Sequence, residues 1–75
     1  MKKIYVAMMP HPVYFSNAKM AIAAMERECP GQPFEWQTVL HSSTKTDDAA
    51  EATNALRSGR VVYRGAMQVS RRPVR

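Results

Sequence analysis

The sequence has little of what usually betrays a function. It holds one cysteine, Cys29, in 75 residues. One cysteine cannot close an internal disulfide, which excludes a stapled secreted mini-protein. Its three glycines form no phosphate-cradling loop. No stretch approaches the ~18 consecutive apolar residues of a membrane span. No signal peptide is visible, so a cytoplasmic setting is expected. The two histidines, His11 and His41, show none of the close pairings that zinc sites use, with Cys29 or with the acids. No metal and no cofactor is therefore expected. What remains is one small domain of ordinary globular composition. A chain this short buries only roughly 60% of the surface its unfolded form exposes, so its stability is marginal.

Charge is present, and unevenly. The formal net charge is +5, and no acid follows Glu51. From there the chain carries Arg57, Arg60, Arg64, Arg71, Arg72 and Arg75 without a single Lys. A guanidinium is a planar fork of donors that fits phosphate or carboxylate bidentately and desolvates more readily than an ammonium. The last third of the chain therefore calls for an anionic partner, unless the arginines form a solvated face that only confers solubility.

Periodicity predicts five elements. Ile4 to Met9 is a short apolar run closed by Pro10-His11-Pro12, which reads as a strand buried on both faces. A helix begins near Ser16, the expected N-cap, with Phe15 and Met20 at hydrophobic-staple spacing. Ala18, Ala21, Ile22, Met25 and Cys29 form its apolar stripe, and Pro30-Gly31 ends it. Residues 34–41 alternate as a half-buried strand with Phe34, Trp36, Thr38 and Leu40 on one side, and a polar loop, 42–46, follows. Asp48-Ala-Ala-Glu51 has capping-box spacing and starts a second, Ala-rich helix that Gly59 ends. Residues 60–69 read as a third strand, with Val61, Tyr63, Met67 and Val69 on one face and Arg60, Val62, Arg64, Ala66 and Gln68 on the other. The domain is expected over 1–70, with a basic C-terminal tail over 71–75.

This order gives a β-α-β-α-β domain of class α/β. Strand one is apolar on both sides and is expected in the centre of a three-stranded sheet of order 2-1-3, with the helices on opposite faces. The alternative is a two-layer α+β sandwich with strand three antiparallel and both helices on one side. In either case the second helix is too small to roof a sheet face, which leaves apolar surface around Tyr5, Ala7, Val39 and Val62. With Arg60 and Arg64 beside it, such a patch has the composition of a protein interface.

Chemistry has fewer footholds. If the strands are parallel, His11 and His41 follow their carboxyl ends, near Ser16 and Asn17, as do Ser42, Ser43 and Thr44. Open parallel sheets bind ligands at that edge, and the first N–H groups of a helix favour anions. Without such a sheet, His11 is a rigid turn residue and His41 a strand end. Cys29 on an apolar stripe behaves as a small hydrophobe, not a nucleophile. Asp47-Asp48 suits a helix N-terminus, and Glu26 with Glu28 reads as solvated charge. No enzymatic activity is expected.

The build as a whole is one minimal domain with no catalytic motif and one charged face. It resembles the small accessory proteins of phages and other mobile elements, such as anti-CRISPR and other anti-defence inhibitors. The resemblance covers no defined motif and transfers no residue; it implies a protein that sticks to a host complex and blocks it. The functional expectation is thus a non-enzymatic binding protein. Arg60, Arg64, Arg71, Arg72 and Tyr5 would dock it on an acidic protein surface, on a nucleoprotein complex, or on a second copy as a homodimer. The alternative is a small nucleic-acid-binding protein that sets the same arginines on phosphates. No membrane partner is expected.

Overall fold

The computed structural model describes residues 3–9, 11–38 and 42–73. It is a two-layer α+β domain: a six-stranded, wholly antiparallel sheet carries two helices. The elements are β1 (Lys3–Met9), β2 (His11–Phe15), α1 (Ala18–Glu28), β3 (Phe34–Gln37), β4 (Ser43–Thr46), α2 (Ala49–Arg57), β5 (Val62–Arg64) and β6 (Met67–Pro73). Strand order is β2-β1-β6-β5-β3-β4. The chain is thus hairpin, helix, hairpin, helix, hairpin, and the last hairpin closes the centre of the sheet.

The three-stranded α/β expectation is overturned, and three hairpin pairings explain how. Pro10 to Pro12 does not end the first strand's sheet: His11 pairs with Met9 and Phe15 with Tyr5, so the chain doubles back as β2. The polar stretch 42–46 is not loop, because Ser43–Thr46 pairs with Phe34–Gln37 as β4. The single strand over 60–69 is two. Gly65, with φ 59°, and Ala66 form a two-residue turn, and Arg64 lies opposite Met67. A glycine first in such a turn is the order of a II′-type hairpin. The turn also resets the alternation, so Val62, Arg64, Met67 and Val69 share one face. The expected 71–75 tail is largely strand, with Arg71–Pro73 paired to Tyr5–Lys3. Val39, Leu40, His41 and Arg75 lie outside the described residues.

Register assigns the faces. Val13, Ala7, Val69, Val62, Trp36 and Thr44 stand in one row across all six strands. Side chains of this parity, with Tyr5, Phe34 and Met67, pack against Ala18, Ala21, Ile22, Ala24 and Met25 of α1 and Ala52, Ala55 and Leu56 of α2 in one core. The patch expected around Tyr5, Ala7 and Val62 is therefore not open, because both helices cover it together. What no described helix covers is the other face of the sheet, where Ile4, Val6, Met8, Tyr14 and Tyr63 lie.

Caps set the helix positions. Asn17, not Ser16, caps α1: its Oδ1 accepts from the Met20 N–H at 2.9 Å. The cap thus sits one residue later than expected, the Phe15–Met20 staple spacing is lost, and Met20 is exposed. Asp48 caps α2 as expected, accepting from the Ala50 N–H at 2.9 Å. Glu51 does not reach back to close a capping box; Thr46 Oγ1 accepts from the Asp48 N–H and donates to Glu51.

At the other helix ends stand two arginines. Arg64 Nε donates to the carbonyl of Cys29, the C-cap of α1, at 2.7 Å. Its guanidinium carbon lies 4.4 Å from the Phe34 ring centroid, and the residue is only 9% exposed. Arg71 donates to the carbonyl of Arg57, the last residue of α2. A cation at a helix C-terminus satisfies an orphan carbonyl and opposes the negative end of the macrodipole. Truncating Arg64 leaves the Cys29 carbonyl unpaired and the Phe34 face bare. Arg64→Ala is expected to lower the unfolding free energy by about 2–3 kcal/mol in a urea titration. A loss below about 0.5 kcal/mol would show that the anchor carries no weight.

Candidate functional site: a cationic end of the sheet

The helices are antiparallel, and the anchors show it. α1 leaves the sheet at Phe15, in the row Phe15–Tyr5–Arg71, and ends where Arg64 holds Cys29. α2 leaves from Thr46, opposite Phe34, and ends where Arg71 holds Arg57. The domain therefore has a Phe15 end, with the start of α1 and the finish of α2, and a Phe34 end, with the reverse.

Charge divides between these ends. Lys3 and Arg72 sit at the termini of β1 and β6, Lys19 is in the first turn of α1, and Arg57, Arg60 and Arg71 surround the finish of α2. All six are at the Phe15 end. Each acid lies toward the Phe34 end. Glu26 and Glu28 close α1, Asp47, Asp48 and Glu51 open α2, and Glu35 lies in register between Tyr63 and Lys45. The two ion pairs among the described residues, Arg27–Glu28 at 3.9 Å and Lys45–Glu35 at 3.8 Å, are also there. None of the six cations at the Phe15 end forms an ion pair with a described residue.

Side-chain geometry holds part of this cluster still. Arg60 donates to the Gln37 carbonyl at 3.1 Å, and Arg71 is tied to Arg57. Each guanidinium has five N–H donors, so several remain for a ligand. Gly59, at φ 98°, ends α2, and a Cβ there would come within 3.0 Å of an Arg71 guanidinium nitrogen. Lys19 and Arg57 also line one end of a shallow cleft of about 430 Å³ between the helices, with Glu26 at the far end.

The sequence-predicted site residues divide accordingly. Arg60, Arg71 and Arg72 meet at the cationic end. Arg64 does not: it is buried at the opposite end as a helix anchor. Tyr5 does not either, because its ring is in the core beneath the helices. The anion edge is not assembled. In an antiparallel sheet there is no common carboxyl edge, and β2 carries His11 at the Phe34 end while Ser16 and Asn17 follow its other end. His41 is outside the described residues. Sequence reasoning missed Lys3 and Lys19 and named Arg57 only as a member of the arginine run; the antiparallel pairing of β1 with β6 and of α1 with α2 brings the three together.

No family model, curated protein or solved structure matches the chain. No described helix is long and apolar enough to cross a membrane.

Gly59 offers a probe of the cluster's rigidity. Gly59→Ala imposes a positive φ on an L side chain and displaces the Arg71 guanidinium. The expected loss is about 1–2 kcal/mol of stability in thermal or urea unfolding. An unchanged midpoint would contradict both the backbone strain and the close contact with Arg71.

Proposed function

We propose that the protein is a small, non-enzymatic, cytoplasmic binding protein that docks its cationic end on an acidic surface of a protein partner. The observation that supports this most is charge segregation: six cations share one end with no acid among them. Opposite potentials steer encounter and fix orientation. Arginine is among the residue types enriched in interfaces, and Arg60 and Arg71 arrive partly pre-organised by their backbone bonds. Lys19 fits the same reading. It stands in a first turn that holds no acid, where a cation opposes the helix dipole and gains from a bound anion. Such a domain acts by occupying a surface of a larger assembly, which is how a phage-borne inhibitor of host machinery would work.

A second reading, nucleic-acid binding, shares the cations. It is favoured by the density of arginine at the Phe15 end, which suits phosphates as well as carboxylates. It is disfavoured by the aromatic positions: Tyr14 and Tyr63 lie on the sheet face opposite the helices, where register places only Arg72 of the six cations.

Two variants with the same change in net charge separate location from total charge. Lys19→Glu/Arg57→Glu alters the cationic end, and Arg27→Glu/Gln32→Glu/Ala50→Glu alters the other without touching the sheet face. Fluorescence anisotropy against polyglutamate, duplex DNA and single-stranded RNA at rising salt is the readout. The first variant is expected to lose at least about tenfold in affinity for polyglutamate, and the second less than about threefold. Equal losses would reduce the effect to net charge and contradict a docking end. Tighter binding to DNA or RNA, falling by about one logarithmic unit per phosphate contact for each decade of salt, would favour the second reading.

A further inference from the structure

The bare face of the sheet differs in chemistry from the cationic end. Register places two rows on it: Tyr14–Val6–Ser70, and Pro12–Met8–Gln68–Tyr63–Glu35–Lys45. Tyr14 is 61% exposed, Met8 49% and Tyr63 42%. Val6 is only 8% exposed although no helix lies over it, so neighbouring side chains on this face, Tyr14 in register among them, already cover it. The face carries three charged residues among those described. Lys45 and Glu35 pair with each other, and Arg72 sits at its rim.

We propose that this face is a self-association surface, on which a second copy of the chain packs sheet against sheet to make a symmetric dimer. Three features favour that occupant. The first is charge. Two chains of net charge +5 repel in most orientations, and the described charges on this face nearly cancel, so repulsion is least here. An acidic partner would find only Arg72 to meet, and a nucleic acid would find the same. The second is size. Six strands about 4.8 Å apart make a face about 29 Å wide, and covering it buries on the order of the 800 Å² per partner of a standard interface. The third is the edges. β2 carries Pro12, which lacks an N–H, and β4 is a short polar strand with Lys45; such edges resist strand-to-strand addition, which leaves the face. Aligned sheets pack about 10 Å apart through interleaved side chains, and Tyr14, Met8 and Tyr63 are the types that dominate such contacts. The dimer would put two cationic ends in one particle, raising avidity for a partner with repeated acidic sites.

Sedimentation equilibrium of the full chain over a range of concentration and salt tests the proposal. The expected result is a monomer–dimer equilibrium in which added salt leaves the dimer as stable or stabilises it, because screening relieves repulsion. Tyr14→Lys/Tyr63→Lys should weaken the dimer at least about tenfold with an unchanged circular dichroism spectrum, and Met8→Lys should weaken it independently. Lys19→Glu/Arg57→Glu should stay dimeric while losing polyglutamate, which separates this surface from the docking end. A monomer at every concentration would overturn the proposal, as would a dimer indifferent to both face variants or one dissolved by salt.

Discussion

One apolar core holds the two layers together, and two guanidinium-to-carbonyl contacts fix where its helices end. The helices of this domain are short and rich in alanine, and neither buries a large apolar face alone. Their starts are fixed by Asn17 and Asp48. Their ends are held from the sheet, by Arg64 on β5 and Arg71 on β6. The hairpin that supplies both arginines forms last in the sequence and lies in the middle of the sheet. It therefore ties the first hairpin–helix unit to the second. Burying Arg64 without an acid costs solvation; the helix C-terminus and the Phe34 ring offset it.

The same antiparallel plan sorts the charges. Each helix begins at the sheet end where the other finishes, and the acids cluster where α2 begins and α1 finishes. At the Phe15 end, the finish of α2 gathers Arg57, Arg60 and Arg71, and the paired termini of β1 and β6 add Lys3 and Arg72. In α2 the acid near the start and the arginine near the finish both agree with the helix dipole. Part of the segregation thus has a local cause in the electrostatics of α2, whereas α1 runs against its dipole, with Lys19 at the start and Glu26 and Glu28 at the finish.

The sequence told the elements better than their pairing. The stripe of α1 was legible because Ala18, Ala21, Ile22 and Met25 recur at helical spacing, and Gly59 and Pro30-Gly31 marked ends through backbone chemistry. The buried alternation of Phe34 and Trp36 was equally plain. The hairpins were not. β2 begins beside two prolines, which argue against a strand unless it lies at an edge, and it does lie at an edge. β4 is Ser-Thr-Lys-Thr, whose β-branched threonines were outweighed by polarity. Gly65-Ala66 looked like an interruption within one strand because a two-residue turn is hard to tell from a strand glycine without the partner. That one misreading left Arg64 on the surface in expectation, whereas the turn sets it on the buried face with Met67 and Val69. The arginine run signalled an anionic partner, yet two of its members bind backbone carbonyls at helix ends, and nothing in composition distinguishes a carbonyl from a phosphate as the acceptor.

The most direct test of this arrangement is an NMR measurement on the arginine Nε–H groups of the folded chain. If Arg64 anchors α1, its Nε–H exchanges slowly with water and shows a scalar coupling through the hydrogen bond to the Cys29 carbonyl, while the Nε–H of exposed Arg72 exchanges fast. Uniformly fast exchange for every arginine, with no coupling to Cys29, would contradict the anchor and the antiparallel plan built on it.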